Sequence, residues 1–161
     1  MLVEICRCGG GLGVMFFMSI RILSWNVRGL NNPQKRSVVK NLLRDWKCDV
    51  VCLQETKLSA VDWGVIRSLW SNPYVGWVAL DAVNTAGGVL LMWDKRMLEM
   101  TDSVVNTFSV SCCWKGITDG FVWACTGIYS PNADNLRASL WGGAGWCEAA
   151  LECSMVCYWG F

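Results

Sequence analysis

Two short apolar runs, each followed at once by polar residues, constrain the fold of this 161-residue chain more than any other feature of its sequence. Residues 20–23 lead into Ser24-Trp25-Asn26, and residues 49–52 lead into Leu53-Gln54-Glu55. Short apolar runs rich in branched side chains and bounded by polar residues are typical of buried β-strands. A helix between the two would make them parallel neighbours, because crossover connections join parallel strands. We therefore expect Asn26 and Glu55 at the same edge of one sheet.

The chemistry of these two side chains suggests a metal ion. A neutral amide and a carboxylate that converge at strand ends are suitable oxygen ligands for a hard divalent cation such as Mg²⁺ or Mn²⁺. A glutamate at the end of a strand that contains four apolar residues is also difficult to explain as an ordinary solvated residue. The sequence therefore predicts a metal site that includes Glu55 and Asn26.

A helix is predicted between the two strands. Asn31-Asn32-Pro33 is a helix start signal, and the apolar residues that follow recur at helical spacing to about Lys47. The opposite face of this helix is basic and carries Lys35, Arg36, Lys40, Arg44 and Lys47. Such a face can contact the phosphates of a nucleic acid or can simply be solvated, and the sequence leaves both interpretations open.

The remainder of the chain reads mainly as strands. Residues 58–70 form a short helix or an irregular connection, and residues 74–80 and 87–93 an antiparallel pair. Further strands are predicted over 97–105, 107–115 and 120–130, and a helix begins at about residue 135. A strand, a helix, a strand and then a meander predict a layered α/β sandwich with a mixed sheet.

Composition indicates the kind of cellular compartment in which the protein is found. Ten cysteines without repeating spacing, and no histidine, indicate buried thiols in a reducing compartment rather than a disulfide framework. We therefore expect an intracellular protein of the nucleus or cytoplasm. No apolar stretch is long enough for a membrane span, the N-terminus makes a poor signal peptide, and no obligate protein partner is evident. The net charge of +1 argues neither for nor against nucleic acid.

Four motifs in order over residues 19–141 together resemble a known superfamily. They are Ser24-Trp25-Asn26-Val27-Arg28-Gly29-Leu30, Leu53-Gln54-Glu55-Thr56-Lys57, Gly87-Gly88-Val89 and Gly127-Ile128-Tyr129-Ser130-Pro131-Asn132. The chain resembles the endonuclease/exonuclease/phosphatase superfamily, which has the DNase I-like fold. It looks most like the endonuclease domain of plant LINE-type (non-LTR) retrotransposons.

The resemblance implies roles for individual residues. Glu55 would ligate Mg²⁺ or Mn²⁺, and Asn26 would hold the metal site and the attacking group. Tyr129 would donate to the scissile phosphate, and Asn132 would contact the DNA backbone nearby, although both residues could simply end a strand. Arg28, where apurinic endonucleases carry an aspartate, is a candidate contact to nucleic acid.

The resemblance also shows what this chain lacks. In the superfamily, a G-D-x-N motif and an S-D-H motif supply the base that activates water and a histidine. The chain has neither motif and no histidine. We expect a partial DNase I-like four-layered α/β sandwich, truncated after roughly its first half, from a Mg²⁺-dependent DNA endonuclease without useful activity. The alternatives are a non-catalytic nucleic-acid-binding remnant and a cellular apurinic endonuclease or phosphatase relative.

The two ends of the sequence differ from its centre. Residues 1–17 are rich in glycine and lack a period, so they are interpreted as a leader outside the domain, which would span residues 18–141. Residues 142–161 do not continue the pattern either. Read one nucleotide out of register, part of this stretch permits a G-D motif, so it is interpreted as a non-native tail, possibly frameshifted.

Overall fold

The computed structural model describes residues 2–11, 14–129 and 156–159. These residues form the following elements in chain order: β1 (Leu2–Gly11), β2 (Val14–Asn26), α1 (Pro33–Trp46), β3 (Val50–Gln54), α2 (Trp63–Leu69), β4 (Val75–Leu80), β5 (Val89–Asp94), β6 (Leu98–Val105), β7 (Ser109–Gly116), β8 (Val122–Ile128) and β9 (Val156–Trp159). The predicted sequence of strands and helices is confirmed over the described part of the domain, and the connection at residues 58–70 contains α2.

The first sheet is mixed and has the strand order β1-β2-β3-β5-β4. The strands β2 and β3 are parallel, with Ile22 opposite Val50 and Asn26 opposite Gln54. Every other pairing in this sheet is antiparallel. The parallel pair confirms that Asn26 and Glu55, the residue after Gln54, lie at the same edge of the sheet.

The second sheet has the strand order β6-β7-β8-β9. The first three strands form an antiparallel meander, in which Trp114 on β7 faces Trp123 on β8. Strand β9 runs parallel to β8. The meander follows from turn residues between the runs, because antiparallel strands can be joined by short connections.

Local signals in the sequence set the ends of both helices. The side chain of Asn32 accepts a hydrogen bond from the backbone N–H of Gln34 at 2.8 Å, which caps α1 just before Pro33. Lys47 ends the helix in a left-handed conformation. The side chain of Asp62 caps α2 by accepting from the N–H of Val65 at 2.9 Å.

The first sheet is buried on both faces. Alternate residues of β3 and β5 pack against the two helices, among them Val51, Leu53, Leu90 and Met92. The residues between them pack against the second sheet, and this inter-sheet core contains Val50, Cys52, Val89, Leu91, Trp93, Val110, Cys112, Trp114, Trp123 and Cys125. A strand covered on both sides reads as a continuous apolar run, which explains the pattern of these segments. The described residues thus form three layers, helices, sheet and sheet, of an α/β sandwich.

Three tryptophans fill much of the space between the sheets. The ring centroids of Trp93 and Trp114 lie 5.6 Å apart, and those of Trp114 and Trp123 lie 4.9 Å apart. The indole N–H groups of Trp114 and Trp123 are buried and have no hydrogen-bond partner among the described residues. Their large apolar area is therefore buried at the cost of two unsatisfied donors.

The structure extends the fold beyond residues 18–141. Strand β1 pairs with β2 from Leu2 opposite Leu23 to Gly11 opposite Val14, and the Ser19 hydroxyl donates to the carboxylate of Glu4. Residues 2–11, which belong to the segment interpreted above as a leader outside the domain, therefore form a strand that pairs with β2. Strand β9 likewise lies within the stretch interpreted as a tail. Whether either segment is foreign to the domain remains a prediction, and the helix predicted from residue 135 lies outside the described residues.

No helix in the described part of the chain is both long enough and apolar enough to cross a membrane.

Candidate functional site

Two loops follow the parallel strands at the same edge of the first sheet. The first site loop, residues 27–31, follows β2, and the second site loop, residues 55–58, follows β3. The N–H of Val27 donates to the carbonyl of Gln54 at 2.9 Å, which continues the strand pairing beyond β2. Both loops therefore leave the sheet side by side.

Hydrogen bonds tie the two site loops together. The N–H groups of Gly29 and Leu30 donate to the carbonyls of Glu55 and Thr56 at 2.6 and 2.7 Å. The side-chain amide of Asn31 adds a third bond, to the carbonyl of Lys57 at 2.9 Å. The backbone that follows Asn26 is thus fixed relative to the backbone at Glu55.

A third segment, the glycine turn Gly87-Gly88, joins these loops. The carbonyls of Gly88 and Gly87 accept from the N–H groups of Thr56 and Lys57 at 3.2 and 3.0 Å. A Cβ on Gly87 would lie 2.8 Å from the ring of Tyr129, so the absence of a side chain there lets the tyrosine approach. The glycine turn therefore connects Tyr129, which directly follows β8, to the second site loop.

Left-handed backbone is concentrated in these segments. Six non-glycine residues in the described part of the chain have positive φ, and three of them lie here: Arg28, Glu55 and Lys57, with φ of 49°, 57° and 56°. Such conformations cost on the order of 1 kcal/mol each for residues with a Cβ and persist where the surroundings enforce them. Their concentration at one edge of the sheet points to a function of that edge.

The structure brings together four of the five residues predicted from the sequence. Asn26 ends β2 and is exposed, and its side-chain oxygen accepts from the N–H of Arg28 at 3.1 Å. Glu55 and Tyr129 are half-buried, and Arg28 is exposed. Asn132 lies outside the described residues.

The donor set at this edge decides which metal it could hold. Among the residues the structure describes, no three acidic, cysteine or histidine side chains come together as a metal site. The two residues that the sequence assigned to a metal, Asn26 and Glu55, both lie at this edge and offer an amide and a carboxylate oxygen. Mg²⁺ keeps several waters and takes one or two carboxylates together with substrate phosphates, whereas structural zinc requires four closed ligands. These residues therefore fit Mg²⁺ or Mn²⁺ held weakly.

The basic face of α1 is used mainly inside the protein. The ammonium of Lys35 donates to the carbonyl of Val27 at 2.5 Å, and the guanidinium of Arg36 donates to that of Leu30 at 2.7 Å. Lys40 donates to the carbonyl of Arg67 at 2.7 Å. Three of the five cations thus bind backbone carbonyls, an outcome that neither the phosphate-contact nor the solvated interpretation predicted.

Perturbed titratable groups lie at the opposite edge of the sheet. Burial raises the pKa of Asp49, and burial together with the charge of Asp49 raises the pKa of Cys48 to about 11. Burial acts to raise the pKa of Asp94, but hydrogen bonds from Arg96 and its charge lower it below the ordinary value. These residues border an open cavity of about 210 Å³. A thiol with so high a pKa is unreactive at neutral pH, so Cys48 is not a candidate nucleophile.

Sequence reasoning missed the residues that connect the site. Thr56, Lys57 and Gly88 had appeared only as letters of motifs, yet they carry the hydrogen bonds between the segments. A Cβ on Gly88 would overlap the hydroxyl of Thr56. Two adjacent glycines before a strand were the available signal, since glycine often marks a close approach of backbones.

Comparison with known proteins identifies relatives of this arrangement. The profile of the Endonuclease/Exonuclease/phosphatase family matches residues 23–147. A DNA-(apurinic or apyrimidinic site) endonuclease 2 of Schizosaccharomyces pombe is 40% identical over 45 residues, which cover 24% of this chain and 9% of that protein.

Solved structures share the fold at low sequence identity. The human Nocturnin catalytic domain superposes with a TM-score of 0.61 and 11% identity over 86% of this chain and 62% of that one. The AP endonuclease LMAP from Leishmania major superposes with a TM-score of 0.55 and 18% identity, over 78% of this chain and 45% of that one. A mannosyl-6-phosphatase of Bacteroides thetaiotaomicron superposes with a TM-score of 0.56 and 11% identity, over 78% of this chain and 61% of that one. This chain therefore spans roughly half to three fifths of these structures and less than a tenth of the curated relative.

Proposed function

Because the chain belongs to the endonuclease/exonuclease/phosphatase family, we propose that its site edge is part of the catalytic site of a Mg²⁺-dependent phosphodiester hydrolase that acts on DNA. The observation that supports this most directly is a network of backbone hydrogen bonds. It joins the first site loop, which follows Asn26, to the second site loop at Glu55, and that loop to the glycine turn beside Tyr129. It unites residues that are widely separated in sequence. A divalent ion bound by Glu55 and Asn26 would neutralise charge on a phosphate and orient it.

The residues of the chain have distinct parts in this proposal. Glu55 contributes the negative charge that attracts the cation, and Asn26 adds a neutral oxygen. The phenol of Tyr129 donates a hydrogen bond to a phosphate oxygen, which stabilises charge that develops there. Arg28, exposed beside Asn26, and Asn132 contact the DNA backbone.

The 161-residue chain is expected to be catalytically incomplete. It contains no histidine, the side chain whose ordinary pKa best suits proton transfer near neutral pH. Loss of members of a catalytic unit typically costs three or more orders of magnitude in rate. We therefore expect metal binding without useful cleavage of DNA.

A metal titration tests the proposal. We expect Mn²⁺, followed by the electron paramagnetic resonance of the free ion, to bind the wild-type chain and to bind Glu55→Gln more than about tenfold more weakly, because the variant has lost the only acidic ligand we assign. Glu99→Gln, which removes an exposed carboxylate on β6, is the matched control and should bind like wild type. Equal affinity of Glu55→Gln and Glu99→Gln would contradict the proposal.

The origin that we propose is a retroelement. Its support is the pattern of Asn26-Val27-Arg28-Gly29-Leu30 with Leu53-Gln54-Glu55-Thr56-Lys57, which looks like that of plant LINE-type endonuclease domains. Genomic sequence downstream should contain G-D-x-N, S-D-H and a reverse transcriptase, in part in another frame. An intact frame through the codons for residues 140–145 in several transcripts would exclude the frameshift.

A second candidate is a cellular apurinic endonuclease, which the local identity to the Schizosaccharomyces pombe protein favours. Incubation with an abasic-site duplex and Mg²⁺ separates the two, because this candidate predicts incision at the abasic position. Binding of DNA that is sensitive to salt but unaffected by chelator or by Glu55→Gln would instead indicate a non-catalytic binding remnant.

The nucleus or cytoplasm is the proposed location. Cys48, Cys52, Cys112, Cys113 and Cys125 are buried thiols outside any disulfide, as expected in a reducing compartment. Burial raises the pKa of Cys52 to about 12, so this thiol resists oxidation.

A further inference from the structure

The first turn of α1 carries charges that the helix itself disfavours. This turn contains no acidic residue, yet Lys35 and Arg36 lie within the first four residues of the helix. A helix N-terminus carries partial positive charge, so cations there are unfavourable. Lys35 and Arg36 are therefore not at these positions because they stabilise α1.

Their hydrogen bonds supply a reason. The ammonium of Lys35 contacts the carbonyls of Val27 and Arg28, at 2.5 and 3.4 Å. One guanidinium nitrogen of Arg36 contacts the carbonyls of Leu30 and Asn31, at 2.7 and 3.2 Å. Together the two side chains reach four of the five carbonyls of the first site loop.

This loop needs external support. Arg28 at φ 49° and Gly29 at φ 98° form consecutive left-handed positions, and Arg28 bears a Cβ that disfavours the conformation. The N–H groups of Gly29 and Leu30 are committed to the second site loop. The loop is thus held in two ways: Lys35 and Arg36 bind its carbonyls, and its own N–H groups bind the second site loop.

Part of the support is itself costly. The Nε atom of Arg36 is buried and has no hydrogen-bond partner among the described residues. An unsatisfied buried donor opposes folding. Because Arg36 also occupies an unfavourable helix position, its hydrogen bonds to the first site loop explain its presence better than packing does.

We propose that Lys35 and Arg36 are positioning residues, which hold the first site loop in its strained conformation and thereby keep the N–H of Arg28 bonded to the side-chain oxygen of Asn26, at the edge that carries Glu55. The part of this inference that concerns metal binding depends on the proposed function. The part that concerns the loop does not, because it can be measured without metal.

The test compares lysines on one helix. Lys35→Met removes the bonds to the first site loop, whereas Lys40→Met removes an equivalent bond from an ammonium to the carbonyl of Arg67 in α2. Lys35→Arg retains the charge and the donors. Thermal unfolding of all three variants verifies that they fold, and a merely structural role predicts similar effects of the two methionine variants.

The first readout is hydrogen–deuterium exchange of the Gly29 and Leu30 amides without metal. We expect exchange about tenfold faster in Lys35→Met, because a hydrogen bond from a charged donor contributes about that factor. Lys40→Met should exchange like wild type, and Lys35→Arg should recover most of the protection. Unchanged exchange in Lys35→Met, or an equal increase in Lys40→Met, would overturn the inference.

The second readout is Mn²⁺ affinity, for which we expect a loss of about three- to tenfold in Lys35→Met, no change in Lys40→Met and recovery in Lys35→Arg. If wild-type and Lys35→Met chains bind equally, and binding still depends on Glu55, the positioning role fails while the proposed function stands. If the wild-type chain shows no binding that depends on Glu55, the proposed function fails, and exchange alone decides whether the two cations hold the loop.

Discussion

The conformation of single residues at the site edge is enforced by close approaches of backbone. Gly88, at φ 89°, lies so close to the second site loop that a Cβ would overlap the hydroxyl of Thr56 and lie 3.3 Å from the backbone nitrogen of Lys57. Its carbonyl also accepts the N–H of Thr56. Only glycine meets both the conformational and the steric requirement at this position.

We therefore predict that Gly88→Ala destabilises the protein by about 2–3 kcal/mol, from left-handed strain together with overpacking. Urea denaturation measures this change. Gly120→Ala is the matched control, because Gly120 also has positive φ but the nearest atom to its Cβ would be 3.7 Å away. The control should lose only about 1 kcal/mol. Equal losses in the two variants would show that the close approach at Gly88 contributes nothing.

Among the elements, α1 links the fold to the site. Its buried residues Val39 and Leu43 pack against the first sheet, while Lys35 and Arg36 in its first turn reach the first site loop. The position of that first turn depends on its cap, since the first N–H groups of a helix have no partner within it. The Asn32 side chain supplies one such partner.

Asn32→Ala is predicted to reduce the free energy of unfolding by about 1 kcal/mol, the usual contribution of an N-cap. Asn41→Ala, in the exposed middle of the same helix, should instead raise it by a few tenths of a kcal/mol, because alanine has the higher helix propensity. Thermal unfolding followed by circular dichroism compares the two. A loss in Asn41→Ala as large as that in Asn32→Ala would contradict capping as the cause.

At the scale of the whole molecule, the two edges of the first sheet have different roles. The site edge carries loops with left-handed backbone, whereas the opposite edge carries carboxylates that accept hydrogen bonds from the backbone and from an arginine. The N–H of Arg21 donates to the carboxylate of Asp49 at 2.9 Å, and Asp94 accepts several hydrogen bonds from Arg96, the shortest at 2.5 Å. Lowering the pH should therefore change the free energy of unfolding through the carboxylates at this opposite edge.

The pKa of Asp94 is lowered in the folded chain by Arg96 and Asn72, which together outweigh the effect of burial. Its contribution to stability is therefore full above the unfolded-state pKa of about 3.9 and is lost as the pH falls through the lower folded value. Asp49 has the opposite sign: burial raises its pKa, so its contribution is present at low pH and is lost as the pH rises through the raised value.

We predict that Asp94→Asn lowers stability at pH 7 and that the difference from wild type shrinks as the pH falls below about 4. Urea denaturation across this range measures the difference. A difference between Asp94→Asn and wild type that is independent of pH would exclude the Arg96 contact as its source.

The amino-acid sequence by itself determined the strands β2 to β8, the first helix, the parallel pairing of β2 with β3 and the position of Asn26 and Glu55 at one edge, but not β1 or β9. These features follow from local patterns, because the period of apolar residues and the identity of a cap are set within a few positions of the chain. Only the tertiary structure decided how the basic residues of α1 are used and which segments join the site. The carbonyl of Arg67 that Lys40 binds, and the tyrosine that packs on Gly87, come from parts of the chain that only folding brings together.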